Sequence, residues 1–255
     1  MKKILALVLA AAAILAIFAG CSAGKDEKKE SKLVVGITDY EPMDFKDENG
    51  DWTGFDAELV EAVAEKLGYT DVEFVEINWD KRFFELESGS IDVVWNGMTI
   101  TDEVKKNCDV SKAYATNSQV VVMSKDALAK YPDAESIKAA NLTIAVEKGS
   151  AGEDEAKKLT SNIVSLTAQS DAIKDVKGKA SDACVIDSTM ANSLTADGKS
   201  FDDLGYTVAL TTEEYGAGFK KGSELTEKVN TALDELKKDG TLQKLSEKYG
   251  VNLAD

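Results

Sequence analysis

Apolar positions along this chain follow two alternating spacings. Runs rich in β-branched residues at 33–37, 72–77, 91–95 and 119–123 read as short strands. Between the first two, Phe55, Leu59, Val63 and Leu67 recur every fourth residue and stop at Gly68, the stripe and terminus of an amphipathic helix. Asp80 stands where it would cap a helix running to Leu86, and 102–106 reads as a further short helix. A second series of the same kind starts at Leu142. Strand 142–146 leads through Lys148-Gly149-Ser150-Ala151-Gly152 into a helix ending at Leu159. Strand 163–166, a helix around 172–176, strand 183–186 and a helix from Ser188 follow. The chain closes with a strand at 215–219 and two helices. Ser223 is the expected cap of the first, with Leu225, Val229, Leu233 and Leu236 on one face; Leu242, Leu245 and Tyr249 mark the second.

Strands alternating with helices predict an α/β fold built from parallel βαβ units. Two such series predict two lobes with a crevice between them, and ligand sites in such folds lie beyond the carboxyl ends of the strands.

The amino terminus changes the picture of compartment. Lys2 and Lys3 precede an apolar run, 4–18, that is too short to span a bilayer comfortably. A positive start, a short apolar core and small residues at its end describe a cleaved secretory signal, 1–20. Phe18-Ala19-Gly20-Cys21 resembles a bacterial lipobox, in which Cys21 becomes the lipidated first residue. Residues 21–32 are otherwise polar and charged, which predicts a disordered tether. The remaining part, roughly 220 residues, suffices for two lobes of ordinary size.

The formal net charge is −16, and loss of Lys2 and Lys3 with the leader makes it more negative still. Such a surface repels phosphate backbones, so nucleic acid is not an expected partner. Attachment to the membrane is expected through lipid on Cys21 alone. The chain has no histidine, which removes the usual general base, metal ligand and neutral-pH switch; no metal or other cofactor is expected. Cys108 and Cys184 are placed in different lobes and are expected to be free thiols, with Cys184 a small core residue inside Ala183-Cys184-Val185-Ile186.

Four motifs then follow one another in order. They are Gly50-Asp51-Trp52-Thr53-Gly54-Phe55-Asp56, Ser90-Ile91-Asp92-Val93-Val94, Gly97-Met98-Thr99-Ile100-Thr101 and Tyr215-Gly216-Ala217-Gly218-Phe219-Lys220-Lys221-Gly222. Together they resemble the polar-amino-acid solute-binding proteins of ABC importers, over nearly all of 33–250. The resemblance implies a type II periplasmic-binding-protein fold. Its two lobes each hold a parallel-rich sheet flanked by helices, and two crossover strands join them. Lobe 1 would be 33–121 plus 212–255 and lobe 2 would be 122–211, closing like a hinge on a small polar solute. The partners implied are an ABC permease and its ATPase, with the binder itself a non-enzymatic monomer.

By the same resemblance, Tyr40 and Trp79 match aromatic residues packed on the ligand. Asn96, Gly97 and Thr99 match the stretch whose backbone and hydroxyl groups meet its charged end. Asp187 matches the carboxylate that receives the α-ammonium group, and Gly149, Ser150 and Ala151 match a loop whose N–H groups face the ligand carboxylate at a helix N-terminus. Glu147 falls where family members contact the ligand side chain. The departure is Thr101-Asp102-Glu103-Val104, because the family usually places an arginine at the fourth position to grip the α-carboxylate. Two readings follow. Either Arg82, the only arginine in the chain, restores the clamp, or the ligand is an amine without a free carboxylate that Glu147, Asp187 and the aromatic residues hold.

Each residue also has a structural alternative. Tyr40 and Trp79 would fill core, Arg82 would pair with Asp80 or Glu85 at the surface, Glu147 would face solvent, and Asp187 would cap the helix that follows it. Trp95 is expected to pack inside a lobe. A dehydratase of the same fold is the rival class.

Overall fold

The computed structural model describes residues 32–255; the expected signal, Cys21 and all of the tether except its last residue, Lys32, lie outside the described residues. The β-branched runs form two separate five-stranded sheets. The first runs, edge to edge, Val72–Glu76, Leu33–Ile37, Val93–Val94, Gly218–Phe219 and Asp109–Val110. Its first three strands are parallel, while Gly218–Phe219 pairs antiparallel with both neighbours. The second runs Ile163–Leu166, Ile144–Glu147, Ala183–Asp187, Gln119–Ser124 and Leu204–Ala209. It repeats the design, with three parallel strands followed by an antiparallel pair. Parallel strands carry helices on both faces, which is why they read as continuous apolar runs rather than alternating ones.

The chain passes between the sheets twice. The short strands Ala115–Asn117 and Glu213–Tyr215 carry it across and pair antiparallel, with Asn117 opposite Glu213 and Ala115 opposite Tyr215. Gln119–Ser124 pairs along its length with Ala183–Asp187, so the expected boundary at 121/122 cuts within this strand.

The helical stripes are where the spacing puts them. Helix Phe55–Leu67 buries Phe55, Leu59, Val60 and Val63 and ends on Gly68 at φ 81, a left-handed conformation that glycine adopts without strain. Helix Leu225–Lys238 buries Val229, Leu233 and Leu236 against the first sheet's core. Two caps differ from expectation. Asn78, not Asp80, caps the turn: its side chain accepts the Asp80 N–H at 3.2 Å and starts a 3₁₀ turn, Trp79–Lys81, that precedes helix Arg82–Ser88. Helix Leu225–Lys238 takes Glu224 as its N-cap, just past the expected Ser223, although Ser223 Oγ still accepts the Leu225 N–H at 3.3 Å. Trp95 is wholly buried beside Tyr114, with ring centroids 5.7 Å apart, and so packs inside the first lobe's core. Cys108 and Cys184 are buried free thiols, the first among the residues packed around Trp79 and the second within the second sheet.

Candidate functional site

Carboxyl ends of strands from both sheets point at one cleft. Trp79, Arg82, Asn96, Gly97, Thr99, Glu147, Ser150, Ala151 and Asp187 all line it, and Val104 lies in its wall. Tyr40 does not. It stands behind the wall, where its hydroxyl meets the Tyr215 hydroxyl at 2.6 Å. A Cβ at Gly97, whose φ is +55, would sit 2.6 Å from the Tyr40 ring, so the ring and a side chain there cannot coexist.

Arg82 is drawn inward by the turn that precedes it. It is 5% exposed, and its Nη1 donates to the Trp79 carbonyl at 2.9 Å. The guanidinium carbon lies 4.8 Å from the centroid of the Trp79 ring and 4.2 Å from that of Phe83. No carboxylate forms an ion pair with it among the described residues, and its Nε has no partner. The surface pairing with Asp80 or Glu85 is therefore not what forms, because Asp80 instead pairs with Lys148 at 2.9 Å, a contact between the two halves of the cleft. Gly149 passes close by, since a Cβ there would lie 3.5 Å from Arg82 Nη1. Val104 packs among Trp79, Leu86, Ile91 and Met98, so the position that lacks an arginine is sealed with apolar surface.

Asp187 ends a buried strand and occupies the N-cap position of helix Ser188–Thr195, yet its side chain makes no capping bond. The carboxylate turns instead toward three neutral amides. Gln119 Nε2 donates at 2.7 Å, Asn117 Nδ2 and Gln169 Nε2 donate over shorter distances, and the Asp187 N–H donates to Gln169 Oε1 at 2.8 Å. Burial, with Glu213 nearby, pushes its pKa up to about 7 despite those donors. Glu147 is 2% exposed and does not face solvent; its Oε1 has no hydrogen-bond partner. Burial and the neighbouring Asp187 hold its carboxyl well above the ordinary range, against the opposing pull of Arg82.

The polar wall from the first lobe is tied from behind. Asn96 Nδ2 donates to Asp44 Oδ2 at 2.6 Å, the Gly97 N–H donates to Asp56 Oδ2 at 2.6 Å, and Thr99 Oγ1 donates to Glu213 Oε2 at 3.0 Å. The Asn96 side chain thus serves the lobe rather than the cleft. From the second lobe, Ser150 accepts the Glu153 N–H at 3.1 Å and opens helix Ala151–Leu159 with its N-terminus at the cleft. The amides Gln119 and Gln169, both lining the cleft and both on Asp187, escape the sequence reading. Gln119 had one visible signal, as the lone amide heading an apolar strand.

Buried acids without cations give the ligand-free protein a definite pH dependence. Asp56 and Asp187 are both raised to about 7 by burial, and burial likewise holds Asp44 and Glu147 well above the ordinary carboxylate range. Between the ordinary carboxylate range and pH 7, the folded state binds more protons than the unfolded chain, so stability falls as pH rises. The melting temperature of the ligand-free protein is expected to drop steadily from pH 5 to pH 8. The slope is about 1.4 kcal/mol per pH unit for each group caught between its two pKa values. A flat or rising profile by scanning calorimetry would contradict this.

Comparison with known proteins gives one pattern. The family model described as bacterial extracellular solute-binding proteins, family 3, matches residues 33–252. The arginine-binding extracellular protein ArtP of Bacillus subtilis (strain 168) is 35% identical, over 98% of this chain and 98% of its own length. Among solved structures, an ancestral arginine-binding protein bound to arginine is 36% identical with a TM-score of 0.80, over 87% of this chain and 99% of that one. An ancestral amino acid-binding protein described as a precursor of cyclohexadienyl dehydratase is 37% identical with a TM-score of 0.79, over 86% and 95%. The expected type II binding-protein fold is therefore the fold of this chain.

Proposed function

The chain belongs to the bacterial extracellular solute-binding proteins, family 3, and from that footing we propose that its cleft captures a free polar amino acid outside the cytoplasm for an ABC permease and its ATPase. The observation that carries this reading is the separation of charge inside the cleft. Arg82 supplies a buried, unpaired guanidinium, and Asp187 and Glu147 supply buried carboxylates without a cation. An α-amino acid fits that arrangement, with its carboxylate on Arg82 and its ammonium group on Asp187. Arg82 thereby replaces the arginine that is missing at Val104. Trp79 contributes an apolar face, and Gly149, Ser150 and Ala151 bring the N-terminus of helix Ala151–Leu159 toward the carboxylate.

We read the two sheets as lobes that hinge about Ala115–Asn117 and Glu213–Tyr215. The pairs Asp80–Lys148, and Ser193 Oγ to Glu41 Oε1 at 2.9 Å, support the closed arrangement. Closure follows only if the ligand binds the closed state better than the open one. Lipid on Cys21 would keep the protein near its permease and raise the local concentration. The role is binding rather than catalysis, in keeping with relatives named as binding proteins. Thermal shift against the common amino acids tests the reading. A cognate amino acid at about 100 times its Kd is expected to add ~2.7 kcal/mol of stability. Silence across every amino acid would overturn it.

A further inference from the structure

The cleft carries more negative charge than a zwitterion can answer. Among the residues lining it, Arg82 is the single base, against Glu103, Glu147, Asp154 and Asp187. Glu103 and Asp154 are exposed at the rim and well screened. Glu147 and Asp187 are not, at 2% and 4% exposed. Neither has a cationic partner in an ion pair among the described residues, and burial together with the nearby Asp187 raises the cost of ionising Glu147. Their environments differ. Asp187 accepts from the amides of Asn117, Gln119 and Gln169, which fix its orientation and leave acceptor capacity for one more donor. Glu147 Oε1 is buried, lines the cleft and accepts nothing.

A buried carboxylate oxygen in that state is costly unless a donor reaches it, and a cationic donor gains most. An α-ammonium group can answer one of the two acids and leaves the other without a counter-charge. From this we propose that the ligand is an α-amino acid with a cationic side chain, whose side-chain cation seats on Glu147 while its α-ammonium group meets Asp187. Glu147 is then the residue that selects basic over neutral amino acids. This rests on the reading that the cleft takes an α-amino acid with its carboxylate at Arg82.

The test is isothermal titration of the purified protein with L-arginine, L-lysine, L-citrulline and L-glutamine. Citrulline matches arginine in shape but replaces the guanidinium with a neutral urea. A basic amino acid is expected to bind about 100-fold or more tighter than citrulline, because the neutral ligand leaves Glu147 buried and unpaired. In Glu147→Gln the basic ligand weakens and the ratio between it and citrulline collapses to within a few fold. If citrulline or glutamine binds the unaltered protein as tightly as arginine and lysine do, the selection by Glu147 is wrong while amino-acid capture stands. If none of the four binds and no other α-amino acid does, capture itself is wrong and this inference falls with it. The comparison in the unaltered protein does not depend on the variant folding.

Discussion

Replacing Arg82 with glutamine is expected to weaken amino-acid binding by about 100-fold or more, since one half of a buried ion pair is removed and the ligand carboxylate is left unanswered. Arg82 is the single buried base among the described residues, where Asp44, Asp56, Glu147 and Asp187 are the buried acids. Its guanidinium is already dehydrated and held by the Trp79 carbonyl and the Trp79 and Phe83 rings. A ligand therefore meets a fixed cation, with little side-chain entropy left to lose. A second substitution separates a lost clamp from lost packing. Adding Val104→Arg to the Arg82→Gln protein puts a guanidinium back from helix Asp102–Asn107, in the same cleft wall. Partial recovery of binding by titration calorimetry is the expected result. An Arg82→Gln protein that binds as well as the original would show that Arg82 is only a packed side chain.

Asp187→Asn is expected to cost a comparable factor in binding, about 100-fold, because the ligand ammonium group loses a desolvated counter-charge of nearly unchanged shape. The ligand-free protein should respond differently. Removing a carboxyl group raised to about 7 removes one of the groups whose protons leave the folded state between pH 5 and pH 8. The fall of melting temperature across that interval becomes shallower, although binding is lost. A merely structural Asp187 would show the reverse: a lower melting temperature at every pH and little change in affinity once folded. The amides around it make the experiment readable, because Asn117, Gln119 and Gln169 are side chains that can rotate to suit an amide.

The fold was legible wherever spacing reported burial. Phe55, Leu59 and Val63 marked a helix face, and Ala183-Cys184-Val185-Ile186 marked a strand buried on both sides. Short elements were not legible. Asp109–Val110 and Ala115–Asn117 have two or three residues each, too few for a period to show, and their place is set by pairing partners far along the chain. Trp79, Glu147, Ser150 and Asp187, singled out through the resemblance, all line the one cleft. Tyr40 lies behind the wall rather than in it, because an aromatic beside a ligand loop can pack on either side and the glycine at 97 leaves room for the ring behind. The amide cradle of Asp187 was invisible for another reason. Gln119 and Gln169 are brought to it only by the tertiary fold, Gln119 through the pairing of Gln119–Ser124 with Ala183–Asp187, and no local pattern encodes that.

One measurement bears on the central claim most directly: calorimetric titration of the protein with the amino acid that gives the largest thermal shift, and then with its decarboxylated amine. Preference for the amino acid by about 100-fold is the expected result, because the amine leaves the buried guanidinium of Arg82 without an anion. Equal or tighter binding of the amine would contradict a carboxylate clamp at Arg82 and would mark the valine at 104 as the sign of a changed ligand class.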